Sequence, residues 1–239
     1  MKLIDEINLK YRSGDTLTRL VMINCAVFCL VLLTVIVLTL FTKSSLSASD
    51  IFQYPLGIHK LVARPWTIVT APFTSWGICH LLFNMVCLYW LGGIFMERGT
   101  ANSLRGLYIL GALAAMVCYS ALGAVTDFEE RNWPESIPLA SASILAICTA
   151  LAFQAPDREE KLPLLGNVKI KWIVIALGIV DVAMLPHMSP PSDLAHLGAA
   201  FMGWLFQDRL RKGRDITKPL TDLYVKICDI IDRRMKRQQ

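Results

Sequence analysis

The chain has 239 residues, 54% of them hydrophobic and 18% charged, with a net charge of +5 and a mean hydropathy of +0.48. That balance is too apolar for an ordinary soluble domain of this length and points to an all-α polytopic membrane protein. The seven cysteines show no CxxC or Cys/His ligand spacing, so the sequence predicts neither a disulfide framework nor a metal site, and the thiols read as small buried hydrophobes.

Residues 1–16, MKLIDEINLKYRSGDT, mix charges of both signs and lack a short apolar core with a small-residue cleavage site, which does not fit a signal peptide. A membrane core about 30 Å thick needs roughly 20 apolar helical residues. Six segments qualify, some of them short: Leu17 to Phe41, His80 to Met96, Leu104 to Val125, Pro138 to Gln154, Val168 to Pro186 and Leu194 to Gln207. Between the first two, Thr42 to Cys79 is rich in Trp, Pro and Phe, and Trp66, Phe73 and Trp76 suit the headgroup boundary. The connection Thr126 to Ile137 is acidic, whereas Arg98, Arg105, Asp157 to Lys161, Lys169 and Lys171 border the opposite ends of the segments. The positive-inside rule therefore predicts both termini in the cytoplasm. From Gln207 onward ten Lys/Arg face five Asp, which holds the whole basic excess. After a membrane segment this reads as an anchor on anionic lipid, not a nucleic-acid surface. Leu220, Leu223, Tyr224, Ile227, Ile230 and Ile231 repeat there at helical spacing, as in an amphipathic surface helix. The expected division is a cytoplasmic segment 1–16, a six-helix membrane domain 17–207 and a basic tail 208–239.

Three polar residues stand near the starts of alternate segments: His80, Ser141 and His196. Such groups are costly at membrane depth, and alternate segments start on the same side, so one pocket towards the non-cytoplasmic leaflet could hold all three. Asn84 lies one helical turn after His80 on the same face. Two donors so placed suit a developing oxyanion, although His and Asn also bond one membrane helix to another. Ala199, Ala200 and Gly203 continue the face of His196, and Ala142, Ala146 and Ala150 form a second small stripe beside Ser141. Close packing of the two stripes would bring a hydroxyl nucleophile to its base. Asp181 reads as a carboxylate near a helix end that reaches water or a backbone donor. A small transporter with a polar path is a further alternative, but no repeated half supports it.

HLLFN followed by LYWLGG resembles the second transmembrane helix of rhomboid intramembrane serine proteases, and AHLGAAFMG resembles their sixth. PWTIVTAPF looks like the family's extended first loop, and Glu97 after Gly92 and Gly93 resembles its glycine and acid. The resemblance implies a six-helix rhomboid-like bundle and a protease without metal or organic cofactor. Its nucleophile would be Ser141 and its base His196, a dyad without an aspartate. It also implies an oxyanion hole of His80, Asn84 and the backbone N–H of Ser141, with Leu139 at its edge. Ser143 is the other candidate nucleophile; choosing Ser141 puts Ala146 and Thr149 where the family has small packing residues. The family's Gly-x-Ser-Gly is replaced by Leu139, Ala140, Ser141 and Ala142, and glycine serves a close or unusual backbone best. An inactive relative that binds membrane clients is therefore the alternative. The implied substrates are transmembrane segments of other membrane proteins, cut in the plasma (inner) membrane towards its outer leaflet. Residues 184–193 with the fifth helix suggest a movable gate.

Overall fold

The computed structural model describes residues 14–42, 48–125, 136–162, 166–183, 190–223 and 226. Six helices of 14 residues or more form the body: α1 (Thr16–Thr42), α2 (Ile78–Met96), α3 (Ala101–Val125), α4 (Ala140–Gln154), α5 (Ile170–Ala183) and α6 (Pro190–Arg211). Three are long and apolar enough to cross a membrane: α1 and α2 in full or nearly so, and α3 over Ala101–Leu122. α4 is a shorter apolar helix. α5 has 14 residues, and α6 carries Asp193, Asp208, Arg209 and Arg211. Those charges are why the expected sixth span lacks the apolar length of the first three. Residues 1–13, 126–135, Tyr224, Ile227, Ile230 and Ile231, on which several expectations fall, lie outside the described residues.

Capping chemistry defines several helix ends. Asp15 Oδ1 accepts the Thr18 N–H at 2.8 Å, the N-cap bond that satisfies an orphan donor of the first turn. The same bond holds the Asp15 carboxyl below the usual carboxylate range. Thr100 Oγ1 accepts the Ser103 N–H at 3.0 Å ahead of α3. α6 opens on two prolines, which fit the first turn because their missing donors would be unpaired there. It closes in a Schellman turn: Arg214 N–H bonds to Arg209 O and Gly213 N–H to Leu210 O, both at 2.9 Å, with Gly213 at φ 75°. α6 thus runs four residues past Gln207. The chain then returns to the bundle: Ser103 donates to Asp215 Oδ2 at 3.1 Å, and buried Thr217 sits against Gly106 of α3.

Glycine and alanine let α3, α4 and α6 meet at backbone distance. A Cβ on Gly111 of α3 would strike Ala146 of α4, one on Gly198 of α6 would strike Cys118 of α3, and one on Gly203 of α6 would strike the Ala146 carbonyl. Without a solvent-driven hydrophobic force between membrane helices, such close contact is a main source of association. α1 lies on the outside, with Leu30, Leu33, Leu40 and Phe41 exposed.

The segment before α2 is a run of short turns and helices, Ala48–Ile51, Ile58–Ala63, Thr67–Thr70 and Ala71–Phe73. Its strand β1 (Tyr54–Pro55) pairs antiparallel with β2 (Ser136–Ile137), Tyr54 opposite Ile137. Exposed Ile58, Val62, Trp66 and Val69 suit an apolar boundary. Phe73 and Trp76 are partly buried and pack on the core, and the Phe73 ring stacks on Tyr108 with centroids 5.5 Å apart. The reason is that the segment folds inward to hold the start of α4. A hairpin of β3 (Glu159–Leu162) and β4 (Gly166–Lys169) leads into α5. Among the described thiols, Cys87 and Cys148 are buried, while Cys29 and Cys79 are exposed on helix surfaces, contrary to a uniform buried role.

Candidate active site

The start of α4 is held by backbone bonds from the preceding segment. Leu139 N–H donates to Ala71 O at 2.9 Å and Ala140 N–H to Thr74 O at 3.3 Å. Leu139 has φ −123° and ψ 8°, a negative φ open to any L-residue, so glycine is not required here by backbone strain. Its side chain is fully buried and its N–H is already used. Leu139, expected at the edge of an oxyanion hole, therefore offers no free backbone donor there. Ser141, two residues on, belongs to the first helical turn, where N–H groups lack an i−4 carbonyl and the helix end is electropositive.

The packed stripes bring two expected residues together. Ser141 Oγ lies 3.0 Å from His196 Nε2, and both side chains are buried. His196 Nδ1 lies 2.7 Å from the Ser192 carbonyl. A carbonyl only accepts, so Nδ1 carries the hydrogen and Nε2 is left to accept from the Ser141 hydroxyl. Ser143 is buried beside Tyr108 instead.

His80 and Asn84 both face inward from α2 but do different things. Asn84 lines a small cleft with Ser141, Phe83, Cys87 and, from α5, Gly178 and Asp181. Its Nδ2 is buried without a hydrogen-bond partner among the described residues, as is His80 Nδ1. Leaving buried donors unpaired is costly, and such groups call for an explanation. His80 Nε2, in contrast, lies 3.2 Å from Asp181 Oδ1.

Asp181 is the residue that the sequence placed wrongly. It is only 5% exposed, and among the described residues its two oxygens face two histidines, Oδ1 towards His80 Nε2 and Oδ2 towards His196 Nε2, each at 3.2 Å. Burial leaves a carboxylate in need of partners, and the two histidines are the basic groups in reach among the described residues. The available signal was the cost of an acid at membrane depth. His59 lies in the helix Ile58–Ala63, away from these residues, and His187 lies outside the described residues. Among the described residues no group of three His, Cys, Asp or Glu is placed to hold a metal ion.

Apolar spanning helices around a buried polar site define a helical membrane protein, and sequence comparison narrows the class. The Rhomboid domain model matches residues 62–212, well over half of the chain. The protein belongs to the rhomboid family. It is 27% identical over 162 residues to Rhomboid-like protein 17, chloroplastic, of Arabidopsis thaliana, covering 62% of this chain and 50% of that one. The chain thus spans about half the length of the curated relative it matches. No solved structure matches it.

Proposed function

We propose that the protein is an intramembrane serine endopeptidase that cleaves transmembrane segments of other membrane proteins. The observation that carries this reading is the buried Ser141–His196 pair at 3.0 Å, with the tautomer selected by Ser192. Ser141 Oγ attacks the scissile carbonyl carbon as its proton passes to His196 Nε2. The tetrahedral oxyanion takes hydrogen bonds from the unpartnered Asn84 Nδ2, from His80 and from the Ser141 N–H. His196 then delivers the proton to the leaving amine, and water hydrolyses the acyl-enzyme in the reverse sense. The reaction draws on no metal or organic cofactor.

All six helices cross the membrane in this reading, the shorter ones starting beneath a wet cavity that satisfies their exposed backbone ends. Residues 1–16 and the basic tail from residue 208 lie in the cytoplasm, the tail against anionic lipid, and the site opens towards the outer leaflet. The location is the plasma (inner) membrane; the Arabidopsis relative is described as chloroplastic. Substrates unwind near the cut, because a helix hides its carbonyls in internal hydrogen bonds, and small or helix-breaking residues there favour that.

The test is purified full-length protein incubated with a model transmembrane substrate and, separately, with a serine-reactive fluorophosphonate. Wild type cleaves and is labelled, and Ser141→Ala does neither. Cleavage that persists in Ser141→Ala overturns the assignment of the nucleophile. Leu139 and Ala142, standing where the family has glycines, favour a second reading, a non-cleaving protein that binds membrane clients. Wild type that binds the substrate but neither cuts it nor is labelled would select that reading.

A further inference from the structure

His196 Nε2, the nitrogen that receives the serine proton in the reading above, faces two oxygens: Ser141 Oγ at 3.0 Å and Asp181 Oδ2 at 3.2 Å. In the resting neutral imidazole, Nδ1 holds the hydrogen against Ser192 and Nε2 presents a lone pair. Asp181 Oδ2 then accepts no hydrogen bond among the described residues, while Oδ1 faces His80 Nε2. Once Nε2 takes the proton, a charged N–H stands opposite a buried carboxylate. The contact is repulsive or empty before proton transfer and attractive after it. An interaction that strengthens only as the transition state forms is the kind that raises the chemical rate.

We propose that Asp181 is a positioning residue of this site: carried in by α5, its carboxylate orients His80 through Oδ1 and opposes the proton held by His196 Nε2 through Oδ2. The inference rests on the protease reading and deepens it. The arrangement differs from a carboxylate bound to the far nitrogen of the base, because Nδ1 is already occupied by the Ser192 carbonyl. Asp181 stays ionised throughout. The Ser141 O–H bond breaks as its oxygen bonds to the carbonyl carbon, the proton rests on Nε2, and it leaves for the amide nitrogen as the C–N bond breaks. The same carboxylate accepts from His80 Nε2–H and holds the ring in place; with both ring nitrogens carrying hydrogen, the buried Nδ1–H is left to donate to the oxyanion. Among the described residues, Cys87 of α2, Cys148 of α4 and Asp193 in the first turn of α6 are the further titratable groups near these three. The two histidines are the basic groups within ion-pair distance of Asp181 among the described residues.

The experiment compares wild type, Asp181→Asn and Asp181→Glu as full-length protein in detergent, by kcat and KM on a model transmembrane substrate and by the rate of fluorophosphonate labelling. Asp181→Asn lowers kcat and the labelling rate by about tenfold or more, the factor for losing one pK unit of charge interaction, with KM little changed. Asp181→Glu, which keeps the charge, recovers part of both. An Asp181→Asn protein with wild-type kcat and labelling, or one changed in KM alone, overturns the role of Asp181 while leaving Ser141 and His196 untouched. Wild type that neither cleaves nor is labelled removes the protease reading itself and this proposal with it. A measurement on folded wild type guards against loss of the Asn variant: after phosphonylation of Ser141, NMR of 15N-histidine-labelled protein shows a strongly downfield His196 Nε2–H in bond with a carboxylate. Its absence also overturns the proposal.

Discussion

α6 and α5 approach the nucleophile helix α4 in opposite ways. α6 meets it backbone to backbone, with Gly203 against the Ala146 carbonyl. α5 meets it through side chains: a Cβ on Gly178 would lie an ordinary 3.7 Å from a Leu145 methyl, and Ile175, Ile179 and Trp172 remain exposed. The base thus rides on an interface with no spare volume, whereas the carboxylate arrives on a helix whose polar link is Asp181 between His80 and His196. Dense packing fixes a distance well because close-packed atoms have nowhere to go. A helix joined through a few side chains can move without tearing the core.

Substitutions separate the two sides, beginning with the largest effect. Ser141→Ala removes the nucleophile, and cleavage and fluorophosphonate labelling fall by at least about a thousandfold. Gly203→Ala drives a methyl into the Ala146 carbonyl and pushes α6 off α4. Its thermal unfolding in detergent shows a loss of about 1 to 3 kcal/mol, the usual range for overpacking, and the labelling rate falls with it. The same change on the other side has the opposite sign. Among the described residues Gly178→Ala meets only the Leu145 methyl, and relief from glycine's helix penalty leaves stability unchanged or raised by up to about 1 kcal/mol. A comparable loss in Gly178→Ala would erase the contrast between the interfaces.

The smallest effect lies at the hairpin that leads into α5. Arg158 holds Glu97, at the end of α2, with two hydrogen bonds, Nη1 to Oε2 and Nη2 to Oε1, and it also bonds Glu160. Its guanidinium keeps the Glu97 carboxyl below the usual carboxylate range. A depressed carboxyl contributes stability above its unfolded pKa and loses it as pH falls through the folded value. Arg158→Ala therefore flattens the fall in unfolding temperature on acidification below about pH 4.5. Because the pair is exposed, the difference from wild type shrinks further in 1 M salt.

The helices themselves were legible in the residues, since a membrane imposes length and apolarity directly. The expected Leu17 to Phe41 is observed as Thr16–Thr42, and Pro138 to Gln154 as Ala140–Gln154. The small-residue stripes beside Ser141 and His196 were equally visible, because close approach requires the absence of side chains, and absence is written in the sequence. Asp181 was misread because only its depth along one helix is local; what it faces depends on how α2, α5 and α6 rotate about one another. The packing of Phe73 was hidden for a similar reason, since its partner Tyr108 lies 35 positions later on α3.

By itself the sequence determined an apolar helical membrane chain, its family and the residue types available for chemistry, because hydropathy and motif spacing are local properties. The tertiary structure alone decided that one buried carboxylate meets both histidines, that Ser192 selects the His196 tautomer and that Leu139 sits without backbone strain. Each of these depends on distances between segments far apart in the chain, which packing sets and composition does not.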